Sequence, residues 1–277
     1  MKRVLYIVLI VFLLGVFLVS GFLLVQYFVE GGEAQGRYDE LAQLVQNAQN
    51  ATRPIQEEDP QPGQPTCPPD VYPWVDVTDP ETGETVQVLP EYAQLYEMNN
   101  DLVGWLSIPN TVINYPVMQT PDSVDYYLHR DFDKNYSSRG CLYAREQCDI
   151  FAPSDNITIY GHRMKDGSMF SALTGYQSKQ FWEENSIISF HTLKERNRYQ
   201  VFAVFLVSAS IGTDFQYHLF ETAAGEDDFN EFVETCRSLA IYDTGVDVSY
   251  GDKLITLSTC DYSMVNGRLV IVAKRIE

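Results

Sequence analysis

A chain of 277 residues with 45% hydrophobic content has room for one or two domains of ordinary composition. Its 38 Asp+Glu against 19 Lys+Arg give a formal net charge of −19. That surface repels phosphate backbones and argues against nucleic acid as a partner; it suits an amine-bearing partner, or simply a solvated exterior. Five cysteines are too few for a disulfide scaffold, and an odd count in an exported chain leaves one thiol reactive or paired with another molecule.

From Val4 to Val29 no residue is charged, and only Gly15, Ser20, Gly21 and Gln26 interrupt the apolar and aromatic run. At about 1.5 Å per residue such a helix exceeds the roughly 30 Å hydrocarbon core, so a tilted spanning helix fits. The run is longer than the apolar region of a cleavable signal peptide, the competing reading. Lys2 and Arg3 precede it, and Glu30 and Glu33 follow. The positive-inside rule therefore predicts a cytoplasmic stub over 1–3, an anchor over 4–29 and everything later outside the cell.

Residues 30–88 read as a stalk. Tyr38, Leu41, Leu44, Val45 and Ala48 form a weak helical stripe. Pro54, Pro60, Pro62, Pro65, Pro68, Pro69, Pro73 and Pro80 then predict an extended linker, with Cys67 inside it as an exposed thiol. A compact domain is expected over 89–277. Tyr92, Leu95, Tyr96 and Asn99 suggest a short helix. Apolar or alternating runs follow at 103–108, 112–117, 141–144, 157–160, 187–190 and 199–207, separated by turn residues such as Pro109-Asn110 and Arg139-Gly140. Phe229, Phe232, Val233, Cys236 and Leu239 fall at helical spacing behind Glu226, Asp227 and Asp228, so Cys236 points into an apolar face. The fold expected is mainly β with helices: about eight strands closed as a barrel or sandwich, with one long helix before the last pair.

That last pair holds the candidate nucleophile. Lys253 to Cys260 and Arg268 to Arg275 are apolar, β-branched runs around Asn266-Gly267, a hairpin pattern that brings Cys260 beside Arg268. A thiolate is stabilised near a fixed positive charge. The Cys260 face of its strand (Leu254, Thr256, Ser258) is the more polar one. Among four histidines, His162 alone follows a strand directly, across Gly161; His129, His191 and His218 have no such setting. Taken singly, each of the three has an ordinary alternative: a buried thiol, a capping histidine, a salt-bridged arginine. Cys141 and Cys148 would pair only if the stretch between them turns back. No Cys/His spacing fits a zinc site and no Gly-rich loop fits a phosphate, so no metal or cofactor is expected.

Thr256-Leu-Ser-Thr-Cys260, Arg268 leading into Leu-Val-Ile-Val-Ala-Lys, and Tyr160-Gly-His162 together resemble the signature of the sortases. Further matches are Asp101-Leu-Val-Gly-Trp-Leu-Ser-Ile, Asn114-Tyr-Pro-Val, the segment Asp125 to Phe132, and Met169-Phe170, so the resemblance covers nearly all of 90–277. The helix over 226–240 and the helical segments ahead of the barrel resemble class B. No apolar span follows the hairpin, unlike the pilus-building class C.

The resemblance implies a sortase-type barrel and transpeptidation at a Gram-positive surface. Cys260 would attack a sorting signal, often of the form Asn-Pro-x-Thr-x, to give a thioacyl-enzyme. His162 would serve the leaving and incoming amines. Arg268 would donate to the oxyanion or hold the signal. By family position Leu128, Ile211, Ser258 and Thr259 would line the groove. Partners would be signal-bearing surface proteins and an amine of a peptidoglycan precursor. Two other readings stay open: a thiol peptidase that hydrolyses the same signals, and a non-enzymatic surface assembly module.

Overall fold

A computed structural model of the chain describes residues 2–52, 74–209 and 215–276. The linker prolines from Pro54 to Pro73, Cys67 and Ile211 lie outside the described residues. The chain divides into two units, Met1–Glu40 and Leu41–Glu277. Helix α1 (Lys2–Thr52) runs through the first, where large apolar side chains such as Phe12, Phe17, Leu18 and Phe22 are exposed. Among the described residues it is the one helix long and apolar enough to cross a membrane. Within the second unit Leu41 and Val45 are buried, so that part of the weak stripe is a packed helix face.

The second unit opens earlier than the composition suggests. β1 (Val75–Thr78) and β2 (Thr85–Val88) pair as an antiparallel hairpin inside the stretch read as linker. Asp79 fixes its turn by accepting the amides of Glu81 and Thr82, each at 2.9 Å. It also accepts the hydroxyl of Tyr96 at 2.7 Å, which ties the hairpin to helix α2 (Pro90–Met98). The alternation Val75-Asp-Val77-Thr carries the strand signal, and the prolines on either side obscure it.

The remaining strands are β3 (Leu102–Ser107), β4 (Asn114–Met118), β5 (Leu142–Ala144), β6 (Asn156–Tyr160), β7 (Ile187–Thr192), β8 (Arg198–Ser208), β9 (Leu254–Asp261) and β10 (Gly267–Arg275). They close as an eight-stranded barrel in the order β10-β8-β7-β3-β4-β5-β6-β9. Helices α3 (Lys179–Glu184) and α4 (Glu226–Leu239) lie between strands of this series. β4–β5 and β6–β9 are parallel; every other pair in the barrel is antiparallel.

β9 and β10 are buried on both faces, which explains the unbroken apolar run Leu269–Ala273 of β10. Cross-strand register separates the faces. Leu254, Val270 and Val272 share a cluster with Phe229, Phe232, Val233 and Cys236 of α4. Alternation then sends Ile255, Leu257, Leu269 and Ile271 into the barrel. Thus α4 covers the outer face at one end of this pair, and Cys236 is core. At the other end the same outer face becomes polar.

Candidate active site

Cys260 lies on β9 directly opposite Arg268 of β10, one pair before the ladder ends at Asp261–Gly267. Residues so paired place their Cβ atoms about 4.5–5.5 Å apart on one face. The connection turns through Asn266 in the left-handed region (φ 50). Gly267 follows because a Cβ there would collide with the Asp261 carbonyl and with Met264 Cγ. The guanidinium of Arg268 donates through Nη1 to the Gly267 carbonyl at 3.0 Å, and its other N–H groups have no partner among the described residues. Cys260 is half-buried, whereas Cys141, Cys148 and Cys236 are buried. Burial raises the Cys148 thiol pKa.

On the other side of β9, the parallel strand β6 matches Tyr160 to Ser258. The register continues one step further, with the Gly161 amide donating to the Ser258 carbonyl at 3.2 Å and the Thr259 hydroxyl to the Gly161 carbonyl at 2.8 Å. His162 then lies level with Cys260, two residues past the matched pair on each strand. Glycine at 161 answers to packing, since a Cβ would sit 2.5 Å from Leu142 Cδ2 and 2.7 Å from Phe170 Cδ2. The hairpin register thus sets Arg268 opposite Cys260, and His162 follows the end of the neighbouring parallel strand β6, two residues past the Tyr160–Ser258 pair.

The imidazole is oriented. His162 Nε2 lies 2.8 Å from the Leu128 carbonyl, which can only accept, so Nε2 carries a proton and Nδ1 remains for chemistry. The His129 ring stacks on it at 5.6 Å between centroids, and Tyr136 stacks on His129 at 6.2 Å. Burial lowers the His162 pKa, the Leu128 carbonyl opposes this in part, and His129 adds to the drop. A neutral imidazole near pH 7 can accept a proton and return it.

A cleft of about 410 Å³ adjoins this row and is lined by Leu128, Tyr217, His218, Arg268, Asp125 and Glu146, among others. Leu128 is among the residues that line it. Ser258 and Thr259 are instead buried, with hydroxyls already engaged: Ser258 with Tyr217 at 2.7 Å and Thr259 with Gly161.

Tyr217 had no sequence signal beyond being one aromatic among many. It belongs to a short 3₁₀ turn (Tyr217–Leu219), and burial raises its phenol pKa against the Ser258 hydrogen bond and the Arg268 charge, with Cys260 adding to the rise. His218 and His129, which the sequence sets apart from the site, also border it. His191 is structural: Nδ1 accepts the Asn197 amide at 3.1 Å, and burial, helped by Arg196, pushes its pKa down to about 4.

The chain is similar to known proteins of one family. Residues 106–276 match the family model described as the sortase domain. Sortase B of Listeria monocytogenes is 35% identical over 69% of this chain and 76% of its own length. Sortase B of Staphylococcus aureus is 27% identical over 100% of this chain and 98% of its own. A solved Staphylococcus aureus sortase B–substrate complex superposes with a TM-score of 0.72 at 25% identity, covering 90% of this chain and 99% of that one.

Proposed function

This chain belongs to the sortase family as a class B cysteine transpeptidase, and from that premise we propose that it anchors surface proteins to the cell wall through Cys260, His162 and Arg268. The observation that carries the assignment is the cross-strand pairing of Cys260 with Arg268, with His162 two residues past the end of the neighbouring parallel strand.

The Cys260 sulfur attacks the scissile carbonyl of a sorting signal and its proton passes to His162 Nδ1. A C–S bond forms and the carbonyl π pair moves onto oxygen. The unpartnered N–H groups of Arg268 donate to that oxyanion. On collapse the C–N bond breaks, His162 protonates the departing amine, and a thioester remains. An amine of a peptidoglycan precursor then attacks, its proton returns to His162, the new C–N bond forms and the Cys260 thiolate leaves. The signal lies in the cleft along Leu128.

The same reading extends to the whole chain. Residues 4–29 anchor it in the membrane with Lys2 and Arg3 inside the cell. Residues 30–74 connect, and residues 89–277 with the hairpin over 75–88 form the extracellular catalytic unit. The acidic exterior suits an amine acceptor.

A peptide-library assay with the full chain in detergent, read by mass with candidate amines supplied, tests the proposal. A thioacyl adduct that disappears in Cys260→Ala, and product that partitions to the amide, are expected. An adduct that survives Cys260→Ala overturns the nucleophile; product indifferent to amine assigns a peptidase instead.

A further inference from the structure

We propose that Arg163 is a positioning residue, clasping the strand end that carries His162 to the strand end that carries Cys260. The idea rests on the transpeptidase reading above for its functional meaning, but its geometry stands independently. The β6–β9 ladder stops at Tyr160–Ser258 with one further backbone bond, so neither His162 nor Cys260 is held in place by strand pairing with the other. Past them the chains part: β9 continues beside β10, while residues 163–168 form a loop that returns as a bridge between Arg163 and Met169.

Arg163 spans the gap in three ways. Its Nη1 lies 3.1 Å from Asp261 Oδ2, the carboxylate directly after Cys260. Its guanidinium carbon sits over the Tyr262 ring, 5.2 Å from the centroid. Its carbonyl accepts the Tyr262 hydroxyl at 3.4 Å. Asp261 is itself immobilised: it is buried, and its other oxygen accepts both the amide (2.9 Å) and the hydroxyl of Ser263. Burial alone would raise its pKa, but the Ser263 hydrogen bonds and then the Arg163 charge win, so the carboxylate stays ionised.

A carboxylate next to a nucleophile invites the role of orienting the imidazole. Here the Leu128 carbonyl does that, and Asp261 is spent on Arg163. A planar guanidinium that pairs with a carboxylate and lies on an aromatic ring fixes direction as well as distance, which an ammonium does not. The clasp thereby sets how closely His162 Nδ1 approaches sulfur and amine, where a misplacement of about 1 Å costs about 10²-fold in rate.

The test separates release from charge. The titratable and charged groups on the neighbouring elements are His129, which ends the 3₁₀ turn Tyr126–His129 and stacks on His162, Cys260 and Asp261 at the end of β9, Arg268 on β10, and Arg163 itself. Arg163→Ala removes a positive neighbour and Asp261→Asn a negative one, so direct electrostatics moves the His162 midpoint in opposite directions. Loss of the clasp frees the ring toward water and moves it upward in both. Imidazole NMR titration of the full chain in micelles, assigned with His162→Gln, should show the midpoint rising in both variants while His191 stays put. Midpoints that move in opposite directions, or that do not move, overturn the proposal whether or not any peptide is turned over. In the transfer assay both variants should lose about tenfold or more in kcat with KM within twofold, and Arg163→Lys should recover only part. Equal losses in kcat and in the rate of Cys260 alkylation by iodoacetamide would mean a general structural role and also overturn it.

Discussion

Cys236 and Cys260 belong to the same outer layer of one barrel and have opposite fates. At the covered end, α4 lays Phe229, Phe232 and Val233 over Leu254, Val270 and Val272; the Cys236 thiol is wholly buried there, and burial drives its pKa far up. At the open end, six residues along β9 from Leu254, the cluster built with α4 no longer includes the strand pair, and Cys260 faces Arg268. The chemistry of a thiol is thus set by what its strand face is covered with. An inert thiol and a nucleophile are two ends of one surface.

The sharpest break in that comparison is to delete each sulfur in turn. Cys260→Ala should abolish the thioacyl adduct by mass spectrometry, whereas Cys236→Ala should leave adduct formation in place and lower only the unfolding midpoint. A lost adduct in Cys236→Ala with the fold intact would dissolve the distinction. Next in size comes Arg268→Lys. The charge survives but the planar set of donors does not, so kcat should fall by about 10²-fold, the range seen when one oxyanion donor is removed. A lysine variant at full rate would show that charge alone suffices at the open end. On the covered end the expected damage is to stability. Phe229→Ala empties a fully buried site and should cost about 3–5 kcal/mol in urea unfolding of the full chain, read by Trp fluorescence, with kcat/KM unchanged where the protein is folded.

How much of this was legible in the sequence follows the same division. The hairpin, its register and α4 were readable because strand alternation and helical spacing are local patterns. Cys260, Arg268 and His162 were legible as candidates because each sits at a strand end next to a turn signal. What stayed hidden came from other parts of the chain. Tyr217 arrives through a 3₁₀ turn 41 residues from its partner Ser258, and Leu128 offers His162 a backbone oxygen that no side-chain pattern encodes. His129 and His218 looked featureless because their relation to the site is stacking and burial across loops. The β1–β2 hairpin was masked by neighbouring prolines. Ser258 and Thr259 read as groove residues by family position, and the sequence did not show that their hydroxyls are engaged with Tyr217 and Gly161.

The seam between the two ends offers the finest test. Tyr217 packs its ring into the aromatic cluster at the covered end, 6.3 Å from Phe205, and extends its hydroxyl to Ser258 two residues short of Cys260. If the hydroxyl pair joins the apolar layer to the reacting row, Tyr217→Phe leaves Ser258 Oγ buried without that partner and should cost about 1–3 kcal/mol of stability. Ser258→Ala should cost a similar amount, and the double variant should cost less than the sum, because both partners are then apolar. The kinetic outcome separates two ways of joining the ends. A fall in kcat in Tyr217→Phe that Ser258→Ala restores would mean the orphaned hydroxyl displaces β9 beneath Cys260. Additive stability losses with unchanged kcat would mean the covered end merely supports the fold, and that the open end is positioned by β6, β10 and Arg163 alone.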